Sequence, residues 1–188
     1  MKIMAVTDNT HSLEKLLSIL LEIHPYVDYV QIREKAKSPI EIYTLCERLL
    51  KEGVPIDKII VNDRLDIATL LSLKNVHLPS NGLSVNSKEE AILAERSQTD
   101  YVIYGHCYST NSKEGKPPVT LSTISEIKSE LSVPLYAIGG ITEERVGKLA
   151  ELGADGVAIM SAIFSASDPL MAIKRIRERC ETIGIKTI

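Results

Sequence analysis

Three stretches of this chain combine residue types that bind anions or move protons. In Tyr29-Val30-Gln31-Ile32-Arg33-Glu34-Lys35 polar and apolar residues alternate, so Gln31, Arg33 and Lys35 share one face of a strand while Val30 and Ile32 pack the other way. At the C-terminal end of a barrel strand that face is an anion site; on an edge strand the same cations are simply solvated. Gly139-Gly140 lies between a strand and a helix, and Met160-Ser161 follows the next strand. Backbone N–H groups so placed can surround a phosphate, and in barrels the loops after strands seven and eight are the usual phosphate site. The bland alternative is that the two glycines only allow a tight turn. His106 follows Gly105 at a strand end. An imidazole there can exchange protons near neutral pH, or it can serve as a hydrogen-bonded lining residue.

Other polar positions carry weaker signals. Asn62-Asp63 can bind a substrate amide or a metal, or can cap the following helix; one carboxylate is thin support for a metal by itself. His77 reads as structural, while His11 and His24 lie near helix ends and read as solvated. Cys107 points away from His106 on a strand and reads as packing. Cys46, Cys107 and Cys180 have neither metal-ligand spacing nor a disulfide pattern.

The elements that must position these residues alternate. Strands are expected at Lys2–Thr7, Tyr29–Glu34, Lys58–Asn62, Val76–Pro79, Tyr101–Tyr108, Pro134–Ile138 and Gly156–Met160. Between them run helices capped by Ser12 and Ser87, or opened by Ser38-Pro39, by Thr120 or Ser122, and by Asp168-Pro169. Thr142 heads an imperfect capping box with Arg145. Alternating strands and helices mean parallel pairing and right-handed crossovers. A dinucleotide-binding open sheet would need Gly-x-Gly-x-x-Gly after the first strand, and Thr7-Asp8-Asn9-Thr10 does not supply it. Polar residues at most strand ends favour an α/β (β/α)8 TIM barrel formed as a single domain over residues 1–188.

One crossover is missing from that count. Few residues separate the strand ending near Pro79 from the helix at Ser87, and parallel neighbours need about a dozen or more. The expected barrel therefore lacks the crossover that carries helix 4 and strand 5. An exposed edge there could be covered by a second copy, as a homodimer.

Composition narrows the partners. The chain has 188 residues, 44% hydrophobic and 25% charged, with net charge −3. The isoelectric point is about 5.9. Nucleic acid and anionic membrane are not expected partners. The start of the chain shows no signal peptide and no apolar run reaches the length of a membrane span, so a reducing cytoplasm is expected.

Taken together, QIREK at 31–35, VNDRLDIA at 61–68, VHLPS at 76–80, YGHCYSTNSKEG at 104–115, AIGGIT at 137–142 and GVAIMSAIF at 156–164 resemble the thiamine phosphate synthase superfamily. Within it the chain looks most like the thiazole tautomerase, TenI-type branch. That resemblance implies isomerisation of a carboxythiazole phosphate tautomer to its aromatic form, with His106 moving the proton and no cofactor. Gln31, Arg33, Asn62 and Lys113 would bind substrate, Arg33 pairing with its carboxylate. Gly139, Gly140, Met160 and Ser161 would hold the phosphate of a phosphorylated thiazole. The branch assignment rests on two residue patterns. A histidine follows the glycine where the synthase usually has proline, and Leu78-Pro79-Ser80-Asn81-Gly82 lacks the carboxylate with which the synthase helps hold Mg2+. The alternatives are the synthase itself, which joins a hydroxymethylpyrimidine pyrophosphate to a thiazole phosphate, and a non-catalytic thiazole phosphate-binding relic. For the synthase, Asn62-Asp63 and Lys113 resemble the pyrimidine, metal and pyrophosphate positions.

Overall fold

A computed structural model describes residues 1–78, 84–110 and 113–185. The elements run β1 (Lys2–Val6), α1 (Leu13–Ile23), β2 (Tyr29–Ile32), α2 (Pro39–Lys51), β3 (Ile59–Asn62), α3 (Leu65–Leu70), β4 (Asn75–His77) and β5 (Ser84–Val85). They continue with α4 (Lys88–Arg96), β6 (Val102–Gly105), α5 (Thr123–Glu130), β7 (Leu135–Ile138), α6 (Glu143–Glu151), β8 (Gly156–Ile159), α7 (Ser161–Phe164) and α8 (Pro169–Ile185). The eight strands form one sheet in the order β4-β3-β2-β1-β8-β7-β6-β5, with every pair parallel. This is the α/β TIM-barrel architecture, curled but not closed: β4 and β5 stand on either side of a seam.

The seam follows from chain length. β5 is present as two residues, and it pairs with β6 instead of β4. Residues 78–83 are too few to carry a parallel crossover between neighbouring strands, which fits the pairing of β5 with β6 and not with β4. The barrel expected from the sequence, short of a helix 4/strand 5 crossover, agrees with this strand order.

Local signals account for most helix starts. Ser12 accepts a hydrogen bond from the Lys15 N–H, and Ser38 forms a full capping box with Glu41 ahead of Pro39. Leu16, Leu17, Leu20 and Ile23 are buried along α1 at helical spacing. At Thr142 no capping box forms. Its hydroxyl donates instead to the Glu144 carboxylate at 2.6 Å, because the arginine at position 145 is a donor and cannot accept from the cap.

Burial divides into two shells. The large outer core lies between helices and sheet and includes Leu20, Leu45, Ile59, Val102, Val146 and Ile173. A small inner shell of Met4, Val6, Ile60, Ile103, Tyr136 and Ala158 fills the barrel interior. Strand alternation sends neighbouring residues to opposite shells, as with Ile3 outward and Met4 inward. The inner shell is the floor on which the site stands.

Candidate functional site

Above the inner shell a cavity of about 500 Å³ opens at the C-terminal strand ends. All nine residues expected to bind or transform substrate line it: Gln31, Arg33, Asn62, His106 and Lys113 on one hand, and Gly139, Gly140, Met160 and Ser161 on the other. Val6, Ile103, Ile138 and Ala158 provide its apolar base. Lys35 does not reach this cavity. It lines an adjoining recess of about 260 Å³ with Arg33, Asn62, Asp63, His77 and Ser84. β2 ends at Ile32, before the expected Glu34, so the strand alternation stops short of Lys35.

The wall made by β2 and β3 has a directed hydrogen-bond chain. Gln31 is 2% exposed, and its Nε2 donates to Asn62 Oδ1 at 3.0 Å. Asn62 Nδ2 donates to Asp63 Oδ2 at 2.8 Å. A carboxylate only accepts, so it fixes the orientation of the asparagine amide, which in turn fixes that of the glutamine. Gln31 Oε1 is left buried without a protein partner among the described residues. A buried amide oxygen without a donor is costly, so this atom is open to an N–H or O–H group from water or a ligand in the cavity.

The loop after β2 is braced from beneath. Glu34, 4% exposed, accepts from the Asn9 N–H at 3.2 Å and from Lys37 Nζ at 2.6 Å. Lys37 also donates to the His11 carbonyl, and the Arg33 N–H donates to Thr7 Oγ1 at 2.8 Å. His11 is therefore not simply solvated: its Nε2 lies 2.7 Å from the Phe164 carbonyl and ties the loop after β1 to α7. His24 also departs from the solvated expectation, since its Nδ1 is buried and lacks a partner among the described residues.

On the opposite wall, the glycine turn after β7 nests against the end of β6. Gly139 has φ +97° and Gly140 φ +61°, conformations that favour glycine. The Cys107 N–H donates to the Ile138 carbonyl at 2.7 Å, and the Tyr108 N–H to the Gly139 carbonyl at 3.1 Å. Arg145 stacks over the Tyr108 ring at 4.6 Å and donates to the Gly140 carbonyl, which pins the turn from outside. His106 is 7% exposed, and its Nε2 lies 3.2 Å from the Lys116 carbonyl. A carbonyl only accepts, so this nitrogen carries the proton and anchors the long loop that bears Lys113. Cys107 is buried as expected, and burial pushes its thiol up to about 12.

The sequence marked His77 as structural, and the structure also places it at the site. It lines both spaces at 6% exposure. Burial holds its imidazole below the ordinary value; Asp63 opposes that effect and Arg33 reinforces it. The available signal was its position: His77 is the register partner of Asn62 at the next strand end. Ser84, Asn86, Thr110 and Asp8 also line the cavity. Of the turn Leu78–Gly82 used to weigh the two activities, Pro79, Ser80, Asn81 and Gly82 lie outside the described residues.

Comparison with known proteins adds to this geometry. Residues 80–163 match a family model described as thiamine monophosphate synthase. The chain is 35% identical over 174 residues to the thiamine-phosphate synthase of Syntrophomonas wolfei, covering 81% of this chain and 82% of that one. It is 33% identical over 193 residues to the thiamine-phosphate synthase of Methanobrevibacter smithii, covering 91% of each. That second alignment is longer than this whole chain, so the relative carries residues that have no counterpart here. Among solved structures, thiamine phosphate pyrophosphorylase from Pyrococcus furiosus superposes with a TM-score of 0.78 at 25% identity, over 97% of this chain and 96% of that one.

These relatives overturn the expectation of a thiazole tautomerase, and with it the isomerase class: similarity over most of the chain is to synthases. The tautomerase reading leaned on one histidine and one missing carboxylate. The histidine has an anchoring contact to Lys116, and a carboxylate stands nearby at Asp63.

Proposed function

Because this chain belongs to the thiamine monophosphate synthase family, we propose that it joins a hydroxymethylpyrimidine pyrophosphate to a thiazole phosphate, forming thiamine phosphate and pyrophosphate. The thiazole nitrogen lone pair makes the new C–N bond to the pyrimidine methylene as the C–O bond to pyrophosphate breaks, and the departing electrons leave with pyrophosphate. No proton need move at the reacting centre. The protein's work is then positioning and charge stabilisation.

The observation that carries this reading is the buried Gln31 Oε1, without a partner among the described residues and set as an acceptor by Asn62 and Asp63. The pyrimidine bears an amino group, which is the donor such an atom requires. Arg33 and Lys113 in the cavity, with Lys35 in the adjoining recess, supply positive charge for a pyrophosphate leaving group. Arg33 is thus assigned to phosphate oxygens and not to a substrate carboxylate. The turn at Gly139-Gly140, with Met160 and Ser161, is assigned to the thiazole phosphate.

Synthases of this family require Mg2+, and the donor set here suits it. Asp63 is exposed, uses one carboxylate oxygen for Asn62, and borders a recess lined by Arg33 and Lys35. Mg2+ is commonly held by one or two carboxylates completed by substrate phosphate oxygens and water. Among the described residues no cluster of three or more His, Cys, Asp or Glu forms a separate protein cage. When bound, the ion would neutralise charge building on pyrophosphate.

The test is product formation from both substrates with Mg2+. Thiamine phosphate and pyrophosphate in equal amounts, lost with chelator and restored by Mg2+, is the expected result. Turnover no faster than the protein-free control sinks the proposal, even if thiazole phosphate binds.

A further inference from the structure

Arg145 sits in the first turn of α6, and among the described residues it joins no salt bridge. Glu144 beside it is taken by the Thr142 hydroxyl. The guanidinium is directed instead to the Gly140 carbonyl, with the Tyr108 ring 4.6 Å away as a platform. Turn and platform are in close contact here: a Cβ built on Gly140 would lie 2.6 Å from the Ser109 carbonyl oxygen and 2.9 Å from the Tyr108 Cβ. Neither Arg145 nor Tyr108 lines the cavity, so the cation acts on the turn from behind.

The group that Arg145 engages is one end of a single peptide unit. The Gly140 carbonyl and the Ile141 N–H share a planar trans peptide and point in opposite directions. Ile141 lines the cavity although its side chain, 4% exposed, belongs to the outer core, so what it presents there is main chain. Its N–H has no protein acceptor among the described residues. A cation held on the carbonyl polarises the whole amide and strengthens the N–H as a donor. We propose that Arg145 is a positioning residue for the phosphate of the thiazole substrate, fixing and polarising the Gly140–Ile141 peptide, and that Tyr108 keeps the guanidinium on that carbonyl. This rests on the assignment of the turn to a thiazole phosphate. The wall made by β2 and β3 has no contact with Arg145, so the effect is confined to one substrate.

The test is calorimetric, uses the full chain and needs no turnover. Thiazole phosphate is titrated into wild type and Arg145→Met, and pyrimidine pyrophosphate with Mg2+ is titrated separately into both. Arg145→Met should bind thiazole phosphate about tenfold more weakly, the scale of one charge-assisted hydrogen bond, and pyrimidine pyrophosphate within about twofold of wild type. Arg145→Lys, which keeps the charge without the planar fork, should recover part of the loss. Tyr108→Leu should weaken thiazole phosphate binding by a smaller factor and add little in the Arg145→Met background. Because Arg145 is exposed, the urea midpoint should stay close to that of wild type. Unchanged affinity for thiazole phosphate in Arg145→Met overturns the proposal, as does equal weakening of both substrates, which a slackened barrel mouth would give. If wild type binds thiazole phosphate yet forms no thiamine phosphate with Mg2+, the synthase reading fails while the titrations still judge Arg145. If wild type does not bind thiazole phosphate, both fail.

Discussion

Gly139 and His106 are packed so closely that a Cβ added to the glycine would lie 2.3 Å from the Cβ of the histidine. The backbone at Gly139, with φ +97°, would resist a side chain even in open space. Gly139→Ala must therefore displace either the turn after β7 or the end of β6. We expect a loss of about 100-fold in thiamine phosphate formation, the scale set by misplacing a positioning group by about 1 Å. Strain should also lower stability by about 1–3 kcal/mol. Steady-state kinetics beside a urea denaturation curve measures both. An alanine variant with unchanged rate would show that this turn does not position substrate.

Removing the acceptor from the β2 wall should act on one substrate only. Gln31→Met keeps length and apolar packing but deletes Oε1 and frees Asn62. The expected result is a rise of about tenfold or more in KM for the pyrimidine pyrophosphate, with KM for thiazole phosphate nearly unchanged. Separate titrations of the two substrates read this out. Equal changes in both would count against the division of the cavity into two walls.

Asp28 links the two ends of the chain. Its Oδ2 accepts from the Ile3 N–H at 2.8 Å and from Arg177 Nη2 at 2.7 Å. Burial raises its pKa, but Arg177 and the Ile3 N–H outweigh that effect and hold the carboxyl below its ordinary value. A depressed carboxyl contributes stability that is fully present above the unfolded value, about 3.9, and is lost as pH falls through the folded value. Asp28→Asn should cost about 1.5–3 kcal/mol at pH 7. The gap between variant and wild type should close as pH drops below about 4. Thermal melts from pH 3 to 7 test the sign, and a gap that widens on acidification would refute it.

The thiols should be silent in the folded protein. Cys46, Cys107 and Cys180 are all buried, and burial pushes the first two up to about 12. Thiolate is the reactive form, so alkylation at pH 8 should be slow for the native chain and rapid for all three residues in denaturant. Mass spectrometry after timed iodoacetamide treatment distinguishes the two states. Rapid native labelling of Cys107 would contradict the packing of β6 described above.

Much of the fold was legible because its signals are local. Period-two alternation at Gln31 and Arg33 brought both side chains into the cavity, and Ser12, Ser38 and Ser87 each cap the helix expected of them. The missing crossover was legible as a shortage of chain, although β5 persists as a strand paired on one side. What escaped was relational. His77 looked structural because a histidine within a strand carries no mark of which neighbour meets it, and its neighbour Tyr101 stands beyond the seam. The choice between activities escaped for a related reason. A Gly-His step and a missing carboxylate in Leu78–Gly82 outweighed similarity spread along the chain, while the role of Asn62 and Asp63 in orienting Gln31 emerges once their side chains are joined.

The strand order has a consequence for how the molecule is built. β1 pairs with β8 at the middle of the sheet, so the first and last strands of the chain form its spine, and mid-chain β4 and β5 form its free margins. A ribosome delivering this protein releases the two margins well before the spine can zip. Until Gly156–Ile159 emerges, β1 has a partner on one flank alone. Assembly must therefore wait on pairing between strands far apart in sequence, the slow kind of contact. Once formed, the sheet should fray inward from β4 and β5, leaving the β1–β8 ladder as the last to exchange its amide hydrogens.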